Sequence, residues 1–291
     1  MTDTWTIGGV PEHFNEPWYE LAGRDAPGFT WRDCPGGTGE MCKALEDGEL
    51  DLALVLTEGA VARIGRGTNF SIVGTFVPTP LQWGIHVDAR GDMRTTDDLA
   101  GRRFGISRDG SGSHIMALVL ADQRGWSHAD DPQLVTVSNF EGARAAFTEG
   151  RIEGFLWERF MTKPMVDQGH WRRVGVCTAP WTSFVVVARH EIVGSEEARI
   201  HDLLDTLASV CAELSADEDA LLERLDARHA LGRDALATWL SGVRWAPEPS
   251  ISRSSLEEAA QALVRANILP APPAPEELVG AGCTIRDDEV C

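Results

Sequence analysis

Short apolar runs alternate with helically spaced segments through the first two thirds of the chain, which predicts an α/β fold with largely parallel strands. Trp5-Thr6-Ile7-Gly8-Gly9 and Phe29-Thr30-Trp31-Arg32-Asp33 read as the first two strands. Asp51 to Leu56 reads as a buried third and Phe70 to Val77 as a fourth. Helices are expected between them. One is capped by Asn15 with Pro17 in its first turn, one runs through Met41, Ala44 and Leu45 to Gly48, and one begins at Glu58. A second unit of the same kind follows Pro78-Thr79-Pro80. Its strands are Trp83 to Val87, Arg103 to Ile106, Leu134 to Val137, Gly154 to Trp157, Arg173 to Val176 and Ser183 to Ala188. Thr96 to Leu99 reads as a single capped turn, Ile115, Leu118 and Val119 as one helix face, and Glu141 to Thr148 as a helix. After Ser195 the pattern is helical only. Ile200, Leu203, Leu204, Leu207, Val210 and Leu214 form an amphipathic stripe, and helices are expected at 217–229, 233–241 and 254–267. Pro270 to Pro275 reads as a linker, and the acidic end beyond it as a mobile tail.

Composition narrows the partners. The chain has 291 residues, 43% of them hydrophobic and 24% charged, enough for a full core. Its 26 basic and 45 acidic side chains leave a net charge of −19, which argues against nucleic acid and anionic membranes. Lys43 and Lys163 are the only lysines, so lysine-dependent chemistry has two candidates. No stretch has the roughly 20 apolar residues of a membrane span. The start shows no signal-peptide pattern, so a cytoplasmic location is expected unless the sequence was trimmed, in which case it would be periplasmic. The cysteines at 34, 42, 177, 211, 283 and 291 show no C-x-x-C pair and are expected as reduced thiols.

In an open α/β sheet, ligands bind beyond the carboxyl ends of the strands. Two glycine-rich turns lie there: Gly36-Gly37-Thr38-Gly39, and Gly110-Ser111-Gly112-Ser113-His114. Each brings backbone N–H groups and small hydroxyls to a helix start, which suits a carboxylate, sulfonate or phosphate. Plain capping by Thr38 and Ser113 is the simpler alternative. Val10-Pro11-Glu12-His13, Thr57-Glu58, Trp157-Glu158-Arg159 and Ala179-Pro180-Trp181-Thr182 sit at further strand ends. Trp83, Trp157 and Trp181 suit pocket walls and core equally well. His13 and His114 are the histidines placed for acid–base work. There is no complete G-x-G-x-x-G, no P-loop lysine, no H-E-x-x-H, no G-x-S-x-G elbow and no metal-ligand spacing of the histidines.

The order of elements resembles the type II periplasmic-binding-protein fold, in the branch of alkanesulfonate, taurine, nitrate and thiamin-pyrimidine binding proteins. The likeness rests on Ile7-Gly8-Gly9-Val10-Pro11, Gly36-Gly37-Thr38-Gly39 and Asp51-Leu52-Ala53-Leu54. It rests most of all on Asp97-Asp98-Leu99-Ala100-Gly101-Arg102-Arg103-Phe104-Gly105-Ile106-Ser107. Phe155-Leu156-Trp157-Glu158 and Thr162-Lys163-Pro164 are similar to uncharacterised intracellular members. The likeness covers residues 4–268.

The resemblance implies two lobes that close on a ligand: residues 1–85 with 188–270, and residues 86–187, followed by a tail at 271–291. It implies ligand contacts at Val10, Pro11, Glu12, His13, Gly37, Thr38, Gly39, Thr57, Glu58, Gln82, Trp83, Ser111, Gly112, Ser113, His114, Trp157, Glu158 and Trp181. The expected function is solute binding of a compact anionic or zwitterionic small molecule, with no cofactor and no metal. The alternative is an intracellular enzyme on the same fold, resembling a chorismate dehydratase or a thiamin-pyrimidine synthase, with His13, His114, Glu58 or Glu158 as the reactive group. The synthase's cysteine-rich iron motif is missing here. A third reading makes the acidic tail a docking peptide for a protein partner.

Overall fold

The computed structural model describes residues 4–126 and 131–287. His128 and Cys291 lie outside the described residues. The chain forms two compact units. One comprises the residues through Thr79, Trp181–Ala260 and the residues from Ala271 on; the other comprises Pro80–Pro180 and Gln261–Pro270.

The first unit opens with β1 (Trp5–Gly9), α1 (Glu16–Ala22), β2 (Phe29–Asp33), α2 (Thr38–Glu46), β3 (Leu52–Leu56), α3 (Thr57–Ile64) and β4 (Phe70–Val77). The second contains β5 (Gln82–Asp88), β6 (Arg103–Ile106), α4 (Gly112–Arg124), β7 (Gln133–Thr136), α5 (Phe140–Thr148), β8 (Gly154–Glu158), α6 (Lys163–Asp167) and β9 (Trp171–Thr178). The chain then returns through β10 (Phe184–Arg189), α7 (His190–Val193), α8 (Glu197–Ser215), α9 (Glu218–His229), α10 (Arg233–Leu240), β11 (Ser250–Ser252), α11 (Arg253–Arg265), α12 (Pro275–Leu278) and β12 (Thr284–Arg286).

The sheet of the first unit has the order β2-β1-β3-β10-β4. β1 pairs parallel with β2 and β3, and β10 runs antiparallel between β3 and β4. Central strands covered on both faces need continuous apolar sequence. β3 supplies it as Leu-Ala-Leu-Val-Leu and β10 as Phe-Val-Val-Val-Ala; β4, at the end of the order, is also buried along its length. The stripe on α8 packs inward through Ile200, Leu203, Leu204, Leu207, Val210 and Cys211. The sheet of the second unit has the order β7-β6-β8-β5-β9, with β6, β7 and β8 parallel and β5 antiparallel to both neighbours. Its core gathers Val137, Ala143, Ala146, Phe147, Ile152, Phe155, Met165 and Trp171.

Three expectations change. The unit boundaries expected after residues 85 and 187 fall inside β5 and β10; each strand pairs along its length within one sheet, so the units divide at Thr79/Pro80 and Pro180/Trp181. Residues 261–270, expected in the first lobe, belong to the second unit, where Arg265 pairs with Asp122 at 2.5 Å. The segment expected as a mobile tail carries α12 and β12. Leu278 is fully buried, Gly280 N–H donates to Ile72 O, β12 pairs with β11, and Arg253 holds both Glu276 and Asp287. Asn15 also departs from its expected role. It makes no side-chain cap, and its Nδ2 donates to Val10 O at 2.8 Å.

Candidate functional site

In the first unit the carboxyl ends of β1, β2 and β3 and the amino end of β10 share one edge of the sheet. Val10–His13, Gly37–Gly39, Thr57-Glu58 and Trp181 therefore lie along that edge. Hydrogen bonds tie the loops together. Cys34 N–H donates to Gly9 O at 2.8 Å, and Thr57 N–H to Ser183 O at 3.1 Å. Thr182 shares a bond with Ser255 Oγ at the start of α11.

The start of α2 is not capped by a side chain. Gly37 occupies the N-cap with φ +71°, a conformation that favours glycine. The Thr38 hydroxyl, expected as a possible cap, instead accepts Leu56 N–H at 3.2 Å. Its methyl lies against Gly59, where an added Cβ would come within 2.3 Å of Thr38 Cγ2. Helix geometry therefore leaves the first-turn N–H groups of α2 without intrahelical acceptors.

Glu58, in the first turn of α3, is 3% exposed. Its Oε2 accepts the Trp181 indole N–H at 2.9 Å. Burial, only partly offset by that bond and one from its own backbone N–H, pushes the carboxyl up to about 7. Glu12 is half-buried as a residue, yet desolvation raises its carboxyl to about 7 as well. Val10 O accepts Glu12 N–H, and Pro11 is exposed. His13 is not poised for acid–base work. It is fully buried in a 3-10 turn, its ring 4.4 Å from that of Trp239, and burial holds its pKa at about 3, hence neutral.

In the second unit the carboxyl ends of β6 and β8 share an edge with the amino end of β5. α4 is capped by Ser111, whose Oγ accepts His114 N–H at 3.4 Å, while Ser113 Oγ accepts Ser107 N–H at 3.0 Å. The cap residue is thus Ser111 rather than Ser113. His114 is buried; its Nδ1 accepts Gly110 N–H at 3.0 Å, and burial lowers its pKa. The hydroxyls and imidazole of the Gly110–His114 turn are thus largely spent on the turn itself, and Gly112 opens α4. Glu158 is also inward: its Oε2 accepts Phe160 N–H at 2.9 Å and Met161 N–H at 2.8 Å. Trp157 stacks on Phe155 at 5.4 Å, joining the core. Trp83 is 6% exposed, and its Nε1 has no partner among the described residues.

Arg159 stands in a strand-end cluster of the sequence but not among the expected ligand contacts. It directly follows β8, its N–H donates to Gln82 O at 3.2 Å, and its Nη1 donates to Gln82 Oε1. The available signal was an arginine one residue beyond a buried strand, beside a glutamate that turns inward. Both lysines lie on helix surfaces, Lys43 paired with Asp47 and Lys163 with Asp167. Among the described residues no three His, Cys, Asp or Glu side chains gather to hold a metal ion. No described helix is long and apolar enough to cross a membrane. Cys34, Cys42, Cys177, Cys211 and Cys283 form no disulfide among the described residues. Burial pushes the thiols of Cys177, Cys211 and Cys283 to about 12, so they are poor nucleophiles.

The profile of the Ca3427-like PBP family matches residues 83–177. No curated protein sequence matches significantly. The structure of the CA3427 gene product of Candida albicans, described as defining a new family with the generic periplasmic binding protein fold, is similar with a TM-score of 0.82. It is 24% identical over 95% of this chain and 93% of its own. The alkanesulfonate-binding protein SsuA from Xanthomonas axonopodis pv. citri, bound to MOPS, is similar with a TM-score of 0.76 and 18% identity, covering 98% of both chains. A variant of DSZB in complex with biphenyl-2-sulfinic acid has a TM-score of 0.66 and 17% identity over 96% of each chain. These likenesses, with the two five-stranded sheets and their shared strand order, give the chain the type II periplasmic-binding-protein fold.

Proposed function

We propose that the chain binds a small anionic or zwitterionic molecule on the loops at the carboxyl edges of its sheets. The observation that carries this reading is the uncapped start of α2 at Gly37-Thr38-Gly39. Thr38, the residue able to cap it, is turned to Leu56 instead. A helix start left open at the ligand edge of an α/β sheet presents N–H donors and a positive dipole end to an anion. The fold supports the reading, because a sulfonate-binding protein shares it. A thermal-shift series with acetate, methanesulfonate, phosphate and sulfate at fixed ionic strength tests it. Binding to the native state raises the melting temperature with ligand concentration. An unchanged melting temperature across the series would end the proposal.

One observation favours a second reading, catalysis on the same fold. A carboxyl held at about 7, as Glu58 is, suits general acid–base work near neutral pH. Mass spectrometry of any stabilising ligand after incubation tests it: an altered mass supports turnover, and complete recovery opposes it.

A further inference from the structure

The chain carries a large excess of acid, yet two arginines of the second unit that reach β5, Arg159 at Gln82 and Arg173 at Gly84, form no ion pair with a carboxylate among the described residues. Arg159 closes β8, and Arg173 lies on β9, two strands that flank β5. Elsewhere arginines find acids: Arg103 takes Glu153, Arg124 takes Asp97 and Arg189 takes Asp51. Glu158, next in sequence to Arg159, gives one carboxylate oxygen to two backbone N–H groups.

The neighbourhood holds the guanidinium of Arg159 in place. Its Nη1 donates to Gln82 Oε1, and its carbon sits 4.6 Å from the centre of the Phe160 ring. Its Nε is buried and has no partner among the described residues. Arg173 lies along β5 where Gly84 leaves room; a Cβ at Gly84 would stand 3.3 Å from Arg173 Cδ and 2.5 Å from His86 Cε1. Burial and, after it, the charge of Arg173 lower the pKa of Arg159, against the opposite pull of the Glu158 charge. His86, beside Gly84 as well, stays neutral, its pKa pushed down to about 3 by burial. Gln82 and Gly84 lie on one face of β5, so the two like charges repel, and an anion bound there would relieve the repulsion. Guanidinium forks match the oxygen spacing of oxyanions, and a fork fixed beforehand loses less entropy on binding.

We propose that Arg159 and Arg173, with Gln82 as strut, form the receptor for a doubly charged tetrahedral oxyanion of the phosphate, phosphonate or sulfate type. This rests on the anion-binding reading above and narrows it: two positive charges, that of Arg159 held in place and that of the exposed Arg173 beside it on the strand face, favour a dianion over a monoanion.

The test is calorimetric titration of the full chain at pH 8 and fixed ionic strength with inorganic phosphate, sulfate, methanesulfonate and acetate. Wild type, Arg159→Gln, Arg159→Lys, Arg173→Gln and Arg151→Gln are compared, with folding checked by circular dichroism. Arg151 is paired with Glu149 and serves as the control. Phosphate and sulfate are expected to bind wild type about tenfold or more tightly than the monoanions. Arg159→Gln and Arg173→Gln should each lose about ten- to a hundredfold of that affinity, Arg159→Lys should recover part of it, and Arg151→Gln should leave it unchanged. Should Arg159→Gln fail to fold, the exposed Arg173→Gln carries the comparison. Equal dianion affinity in wild type and Arg173→Gln overturns the proposal. Monoanions binding as well as dianions also overturn it while leaving the broader anion-binding reading standing. No binding of any probe to wild type overturns both.

Discussion

Replacing Glu58 with glutamine isolates the buried carboxyl at the edge of the first sheet. Glu58 is 3% exposed and accepts the Trp181 indole N–H at 2.9 Å as well as its own backbone N–H. Its pKa is about 7 in the folded chain, against an ordinary value of 4.5. Between those two pH values the unfolded chain has released a proton that the native chain still holds. Stability therefore falls as pH rises from 4.5 through 7 and is level above that. At about 1.4 kcal/mol per pH unit, the full fall amounts to about 3 kcal/mol. Glutamine keeps an oxygen for the Trp181 indole and carries no charge. Glu58→Gln should match wild type near pH 4.5 and exceed it by up to about 3 kcal/mol at pH 8. Glu12, also raised to about 7, titrates with the same sign in both proteins and cancels in the difference. Urea unfolding at pH 4.5, 6, 7 and 8, with the slope unchanged between the two proteins, reads the effect directly. Parallel pH profiles, or a variant less stable than wild type at pH 8, would refute the reasoning.

Other consequences are equally specific. His13 and His86 are buried neutral with pKa values near 3 against 6.5, so the unfolded chain takes up protons first and stability falls on acidification below 6.5. Replacing His86 with glutamine should flatten that acid limb by about 1.4 kcal/mol per pH unit between 6.5 and 4, measured by urea unfolding. Gly59→Ala should cost about 1–3 kcal/mol, because its Cβ would meet Thr38 Cγ2 while Leu56 N–H holds the Thr38 side chain. Adding Thr38→Ser removes the clashing methyl and should restore most of the melting temperature; no rescue would place the strain elsewhere. Leu278→Ala should cost about 2–5 kcal/mol in chemical denaturation, as expected for an emptied core position. A cost near zero would return the last segment to the status of a loose tail.

Much of the fold was legible because its strands obey local rules. β1, β2 and β4 read directly from their apolar runs, and α9 and α10 from their spacing. The last segment did not, because β12 has three residues, lies beyond the proline-rich 270–275 and pairs with an equally short β11. Their order comes from Leu278, Gly280 and the Arg253 ion pairs, all contacts between residues distant in sequence. The site was partly legible for the same reason. Loop positions follow from strand ends, so Thr38, Glu58, Ser111 and Trp181 fall where the alternation predicts. The direction of each side chain does not follow. Asn15 turns back to Val10, His13 turns under Trp239, and Glu158 turns in to the backbone N–H groups of Phe160 and Met161. That last turn leaves Arg159 as the charged group at the strand end, bonded to Gln82.

The central claim is that this chain holds a small anion on the edge loops of its sheets. Equilibrium titration of the purified full-length chain with inorganic phosphate, followed by calorimetry at fixed ionic strength, tests it most directly. The account predicts saturable binding with one phosphate per chain, weakened by competing sulfate. A titration showing only heats of dilution, unchanged across the accessible concentration range, would contradict it.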